Sequence, residues 1–495
     1  MLFIDSLLAA LSPFTLAMNF VGVMLGMIVG ALPGLGSVVA ITICLPFTFG
    51  MPSVSAIALL LGVYCGSICG GSISAVLINT PGTPQSAATA FDGYPMARAG
   101  KPGKAIGWAL AASIFGGVFS CVILTFAAPQ IAVFALQFGP LETCTLILMG
   151  LTCISSVSAN NQFKGLAMGV LGLLLACVGM SPFSAESRFT FDIFALNSGI
   201  DLVAVIVGVF ALSEVLDRVE RMRREARVEN GTSCRVQFPS LGEWRGRMSG
   251  LVKSSLIGTF VGILPGTGAA TAAFLSYGEA RRSSPRRENI GKGEPDGIIA
   301  AESSNNAVTG GALVPSLALG IPGEPVMALM LATLTLHGIT PGVRLMADNP
   351  DIVYSTFLSL ILANLLIIPT AIITVRGFGK LIKFPTAILL SIIVICSLLG
   401  VYLPRSNMFD VWMALLIGVI AFLMRFADFP VAPFLIGYVL SAQLEYRLGQ
   451  AVIYKGDMPL TEYLFSAPVA LVLFAVSACL LLAPMLRPLW AGRRK

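Results

Sequence analysis

Charge is scarce in this sequence. Only 11% of its 495 residues are charged, against 56% that are hydrophobic. A soluble chain of this length carries roughly 25% charged residues. There is a single histidine, His337. That excludes a histidine-based metal cluster, and no cofactor is expected. No Walker A sequence is present, so the chain does not itself spend ATP. No nucleophile–base pair stands at a usable spacing, so the chain is not expected to be an enzyme. The start, MLFIDSLLAA, lacks the basic region and cleavage site of a secretory signal and is expected to be retained.

What is abundant is apolar sequence. Windows of about 20 apolar residues recur along almost the whole chain, which predicts a polytopic helical protein in a lipid bilayer. The expected fold is all-α, with about 11–12 membrane segments. The ten cysteines are mostly scattered through these runs, where cysteine behaves as a small hydrophobe. Cys65 and Cys69 share a helix face, but nothing else marks a disulfide or metal role. The net charge of +6 is concentrated in two places. Nine Lys or Arg residues run from Arg218 through Lys253, and a second cluster comprises Arg281, Arg282, Arg286, Arg287 and Lys292. In a membrane protein such clusters mark cytoplasmic loops, so no nucleic-acid partner is expected.

A motif occurs twice. GALPGLG (Gly30 to Gly36) is answered by GILPGTG (Gly262 to Gly268). GGSISAVLINTPGTP (Gly70 to Pro84) is answered by GGALVPSLALGIPGEP (Gly310 to Pro325), and NQF at Asn161 by NMF at Asn407. The order is the same each time. We read a first membrane repeat over 1–217, a basic cytoplasmic linker over 218–250, and a second repeat over 251–495.

Charge placement relates the repeats. The loop after the LPGTG break is strongly basic, whereas its counterpart Pro46 to Ser53 has no charge. The loop after the TPGTP break holds Arg98, Lys101 and Lys104, whereas its counterpart His337 to Asp351 is net negative. Farther on, Arg376, Lys380 and Lys383 face an uncharged counterpart near Gln130 to Pro140. By the positive-inside rule, corresponding loops lie on opposite sides, which predicts two inverted-topology repeats. The basic tail RPLWAGRRK opposes strict symmetry. An extra crossing near Pro430 to Gln443 reconciles the two.

Proline and glycine inside a membrane-length run break or re-enter the helix. Four breaks are predicted: Pro33-Gly34-Leu35-Gly36, Thr80-Pro81-Gly82-Thr83, Pro265-Gly266-Thr267-Gly268 and Ile321-Pro322-Gly323-Glu324. A helix that starts in the bilayer offers free N–H groups to a carboxylate, and one that stops there offers carbonyls to a cation. Ser37, Asn79, Thr80, Thr83, Thr267, Thr271, Asn305 and Asn306 supply polar groups beside the breaks. The substrate and ion site is therefore expected among Pro33, Gly34, Gly36, Ser37, Asn79, Thr80, Pro81, Gly82, Thr83, Pro265, Gly266, Thr267, Gly268, Asn305, Asn306, Pro322, Gly323 and Glu324. Glu302 and Glu324 are acidic groups within apolar sequence, and such residues are functional candidates by default. Asp92 is expected to brace a cytoplasmic loop. The competing structural explanation is that the glycines only permit close helix packing and the prolines only kink.

These same segments carry a family resemblance. GALPGLG, GGSISAVLINTPGTPQSAATAFDGYPMARAGKPGKAIG, GILPGTGAATAAFLSYGEARR and the run from AAESSNNAVTGGALVPSLALGIPG to HGITPG resemble the large membrane subunit of the tripartite tricarboxylate transporters, the TctA family. The resemblance implies a multi-pass bacterial inner-membrane permease for tricarboxylates or related organic carboxylates. It implies uptake driven by an ion gradient, with Na⁺ or H⁺ as the coupling cation. It also implies a small membrane subunit and a periplasmic solute-binding protein as partners. The chain departs from the family's pattern at Glu324, where a small residue is usual. The alternative function is an ion or solute channel built from broken helices.

Overall fold

The computed structural model describes residues 2–157, 162–181, 183, 186–222 and 234–491. The described residues are overwhelmingly helical. Helix α1 is Leu2–Ala10, α2 Pro13–Ala31, α3 Gly36–Cys44, α4 Ser53–Ile78, α5 Ala87–Arg98 and α6 Pro102–Ala135. Helices α7 (Pro140–Val157) and α8 (Gln162–Ala176) follow. A two-residue antiparallel pair follows, β1 (Gly179–Met180) with β2 (Ser187–Arg188). Helix α9 (Leu202–Ile206) continues through a π-helical stretch, Val207–Leu212, into α10 (Ser213–Met222). The linker boundary expected at residue 217 thus falls inside a helix.

Beyond the linker come α11 (Met248–Ile263), α12 (Gly268–Ser283), α13 (Pro295–Leu319), α14 (Pro325–Leu336) and the single turn α15 (Leu345–Asp348). Then follow α16 (Pro350–Leu381), α17 (Thr386–Tyr402), α18 (Met408–Phe426), α19 (Val431–Lys455), α20 (Leu460–Ser466) and α21 (Pro468–Ala491). Helix α19 lies where an extra crossing was expected, but it is not among the helices long and apolar enough to cross a bilayer. Asn161, which opens the NQF landmark, lies outside the described residues. Among the described residues, five helices are long and apolar enough to cross a bilayer: α2, α4, α6, α16 and α18. The architecture is that of an all-α membrane protein.

Two helices form the centre. Every residue of α4 from Ser55 to Leu77 is buried, and so is every residue of α13 from Gly297 to Ala318. An apolar stripe on one face would leave a helix half-exposed, whereas these are covered all round. Glycine makes this possible. Helix α2 carries Gly22, Gly26 and Gly30, and α4 carries Gly62, Gly66 and Gly70, each at four-residue spacing. Gly62 lies against Asn19, Gly66 against Val23 and Gly70 against Met27, so the two helices run parallel and almost touch. A Cβ on Gly66 would stand 2.2 Å from the Val23 carbonyl oxygen. Small residues at this spacing let membrane helices approach backbone to backbone.

The second half repeats the arrangement. Gly258 of α11 lies against Ser304 of α13 and Gly262 against Val308, again in parallel. The halves also exchange long helices. From the first half, α6 runs along α13, with Gly116 on Ser303 and Gly310 on Ser120. From the second half, α16 joins α2 and α4: Asn19 Nδ2 donates to the Ser359 carbonyl at 2.8 Å, and Asn364 lies by Cys65.

The part of the basic linker from Cys234 onward is docked on α6. Gln237 N–H donates to the Gly103 carbonyl at 3.0 Å, and Lys104 pairs with Glu243 at 2.6 Å. Lys104, with help from the Ser240 amide, holds the Glu243 carboxyl down at about 2, so this pair is ionised at neutral pH. Trp244 meets Trp108 edge-on, with ring centroids 4.8 Å apart.

Candidate functional site

All four predicted breaks interrupt helices. Helix α2 stops at Ala31 and α3 starts at Gly36, while α11 stops at Ile263 and α12 starts at Gly268. The backbone repeats between the two. Gly34 and Gly36 have φ of 84° and 69°, and Gly266 and Gly268 have 87° and 69°. Side chains with a Cβ rarely adopt this left-handed conformation, so the glycines of the LPGxG sequence are required by geometry. Helices α4 and α13 both end on a left-handed residue, Asn79 (φ 55°) and Gly320 (φ 74°).

Within each half the two breaks meet. The Gly82 N–H donates to the Gly71 carbonyl at 3.3 Å, and a Cβ on Gly82 would lie 1.9 Å from the Gly30 carbonyl oxygen. That seats the second break on the end of α2. Gln85 Nε2 reaches Ser37 Oγ at 3.5 Å. In the second half, the Gly266 N–H donates to the Gly323 carbonyl at 2.7 Å. Thr83 Oγ1 donates to Ser86 Oγ at 3.3 Å across the turn Pro84–Ser86, and Thr267 donates to the Val261 and Leu264 carbonyls at the end of α11. Thr80 is spent on the Ile78 carbonyl. Pro33, Pro81, Pro265 and Pro322 sit in the non-helical segments, where a missing N–H costs nothing.

Across the halves, α3 packs on α14, and α12 packs on Pro84–Ser86 and on α5. Two carboxylates sit at this junction. Glu324 is 7% exposed, and its Oε1 accepts a hydrogen bond from the Tyr64 hydroxyl of α4. The Ala269 amide at the start of α12 faces the same carboxyl. Glu324 is therefore enclosed, not a solvated hairpin tip. Glu302 is fully buried, and its Oε1 accepts from Thr89 of α5. Ser72 of α4 also faces it. Tyr64 and Ser72 are eight residues apart on α4. At 1.5 Å per residue the two carboxyl sites are separated by about 12 Å along it.

The two asparagines diverge. Asn306 turns away from the breaks. Its Nδ2 donates to the Ser113 carbonyl at 2.8 Å and to Asn364 Oδ1 at 2.6 Å, tying α13 to α6 and α16. Asn305 is fully buried, and neither of its amide atoms has a hydrogen-bond partner. Asp92 behaves as expected. Its Oδ1 accepts from the amides of Gly291, Gly293 and Glu294 at 2.8–2.9 Å, and its Oδ2 from Tyr277 at 2.9 Å. It braces the loop ahead of α13.

Sequence reasoning missed several participants, among them Thr89 and Ser72 beside Glu302. Arg218, placed in the linker, donates to the Pro33 carbonyl and fills the space beside Gly34. Tyr64 and Asn364 were also passed over. Each is a polar group inside an apolar run, and that was the available signal. Among the described residues no group of three His, Cys, Asp or Glu could hold a metal. Cys65 and Cys69 are buried and free.

Comparison with known proteins agrees with this architecture. Residues 16–436 match the model of the tripartite tricarboxylate transporter TctA family. A curated relative from Agrobacterium vitis, the uncharacterized 52.8 kDa protein in the TAR-I ttuC' 3' region, is 36% identical over 477 residues. That alignment covers 96% of this chain and 94% of the relative. A second Agrobacterium vitis protein, from the TAR-II ttuC' 3' region, is 33% identical over 201 residues, covering 40% of this chain and 83% of the relative. No solved structure matches. A transporter family of this kind does not favour the channel alternative. Its members are subunits of multi-component membrane transporters, not enzymes, and this chain belongs to the tripartite tricarboxylate transporter TctA family.

Proposed function

We propose that this chain is the permease subunit of an importer for tricarboxylates or related organic carboxylates. It accepts substrate from a periplasmic solute-binding protein, works with a small membrane subunit in the inner membrane, and is driven by an ion gradient. The observation that carries this reading is the reciprocal packing of two sequence repeats around four helix breaks. Helix ends of both kinds meet there, which suits a carboxylate and a cation together.

Inverted topology is part of the proposal. The equivalent helices α4 and α13 are antiparallel: Tyr64 meets Glu324 just beyond the end of α13, while Ser72, farther along α4, faces Glu302 near its start. Opposed central helices in two copies of one sequence unit support an inverted pair. Impermeant labelling of single cysteines, in a background lacking native cysteines, tests it. Positions 50 and 349 are expected to react from the periplasm, and positions 100 and 289 only from the cytoplasm. Labelling of 50 and 289 from one side would end the inverted-repeat reading.

Function is tested in cells expressing this chain with its small subunit and binding protein, supplied with a panel of labelled tri- and dicarboxylates. Saturable uptake that collapses with an ionophore is expected. A non-saturable flux indifferent to the gradient would overturn the proposal. Glu324→Gln keeps the shape that Tyr64 contacts and removes the charge. It is expected to shift the pH or Na⁺ dependence of uptake in proteoliposomes more than it changes protein abundance. Superimposed curves would exclude the Glu324 charge from coupling.

A further inference from the structure

Several buried polar atoms among the described residues have no partner, and those of Glu302 and Asn305 lie together on α13. Glu302 and Asn305 are three residues apart on α13, so their side chains share a face. Both are completely buried. One carboxylate oxygen of Glu302, Oε2, has no hydrogen-bond partner, and neither does Asn305 Oδ1 or Nδ2. Which end of the Asn305 amide is oxygen does not affect the argument, because one donor and one acceptor stay unpaired either way. Buried polar groups are nearly always satisfied, so this cluster needs an explanation.

The helix surface fixes where the cluster points. On one side of Asn305, Ser304 Oγ lies 3.2 Å from the Ala272 carbonyl oxygen of α12. On the other, Glu302 meets Thr89 of α5. Asn305 lies between them, facing the seam where α12 packs on Pro84–Ser86. Both the second and the third breaks adjoin that seam.

We infer that this seam is a paired site for Na⁺ and a substrate carboxylate, in which Glu302 Oε2 and Asn305 Oδ1 ligate the cation and Asn305 Nδ2 donates to the anion. The inference rests on the carrier reading above and names the residues that couple ion to substrate. The donor set is hard oxygen: carboxylate, amide carbonyl and the hydroxyls of Thr89 and Ser72. One formal negative charge matches a monovalent ion. A proton would neutralise Glu302 but leave the Asn305 carbonyl unpaired. Na⁺ satisfies both, and by cancelling the Glu302 charge it lets an anion approach. Coupling then follows from electrostatics: the cation binds first and the carboxylate second. Asn306 has a different part, holding α13 against α6 and α16.

The test is binding of ²²Na⁺ to the purified full chain in detergent, without substrate, followed by scintillation proximity. Saturable binding that unlabelled Na⁺ displaces and equal K⁺ does not is expected. Glu302→Gln and Asn305→Ala are each expected to weaken it at least about tenfold. Thr89→Val keeps the shape and removes one hydroxyl, and a loss of several-fold is expected. Glu279→Gln, on a surface ion pair, is expected to bind as the native chain does. Each protein must elute as a single species, so that misfolding is not read as lost binding. No saturable Na⁺ binding by the native chain, or equal binding by Glu302→Gln and Asn305→Ala, overturns the site. Carboxylate uptake in Na⁺-free buffer under a pH gradient alone also overturns it while sparing the carrier reading. Na⁺ binding of the expected pattern with no uptake of any carboxylate would do the reverse.

Discussion

Replacing Gly82 by leucine is expected to abolish uptake while leaving the chain in the membrane. The obstacle is space, not backbone conformation, because the Gly82 φ is not in the left-handed region. Its Cβ would meet the Gly30 carbonyl oxygen at 1.9 Å and Ser74 Oγ at 2.8 Å. The oxygen belongs to the backbone at the end of α2, which is itself packed on α4 and cannot yield cheaply. Overpacking of this kind costs about 1–3 kcal/mol, and more where backbone must move. A fold held by α2, α4, α13 and α16 can absorb that loss, whereas the junction of the first two breaks cannot. Gly36→Ala is the informative companion. Nothing lies within 4 Å of its Cβ, so only the φ of 69° opposes it, at about 1–2 kcal/mol. Uptake reduced by Gly36→Ala but abolished by Gly82→Leu, with equal amounts of both proteins in the membrane, is the expected result. Normal uptake by Gly82→Leu would favour the explanation in which the breaks serve packing alone.

Asp92→Ala is expected to destabilise the protein more than any single change at an exposed ion pair. Four donors converge on this one carboxylate, three of them amides of the loop ahead of α13. Gly291 and Gly293 have φ of 94° and 98°, which turns successive N–H groups toward a single point. Removing the anion leaves those donors without a partner and frees the loop. A loss on the order of 3–5 kcal/mol is expected, as for breaking a buried charged contact. Asp92→Asn retains an acceptor and is expected to lose less. The measurements are the melting temperature of the purified protein and tryptic cleavage at Arg286 and Arg287, which should become faster. An unchanged melting temperature in Asp92→Ala would show that the loop is held by Arg247, whose guanidinium pairs with Glu294 and Asp296.

Much of this was legible in the sequence because membrane packing leaves a strong imprint. Apolar length marked the helices, and lipid tolerates few alternatives to them. The four breaks were legible because proline and left-handed glycine act locally, through their own covalent geometry. Asp92 was legible as a loop brace because a lone acid beside a basic turn has few other uses. Arg218 was not. It lies 185 residues from Pro33 in sequence, and its charge looked like one of nine in a basic stretch. Only the course of α9 and α10 brings it to the first break.

The division runs between local and non-local causes. By itself, the sequence determined the membrane environment, the existence of the helices, the positions of their interruptions, and the family to which the chain belongs. Each depends on composition or on residues near one another. Tertiary structure alone decided that α4 and α13 are the buried centre and that Glu324 faces Tyr64. It also decided that Asn306 is tied to neighbouring helices while Asn305, one position earlier, is left unpaired. Adjacent residues on a helix point about 100° apart. Which of them meets a partner is therefore set by helices distant in sequence, 58 and 193 residues away for Asn306, and no local pattern encodes that.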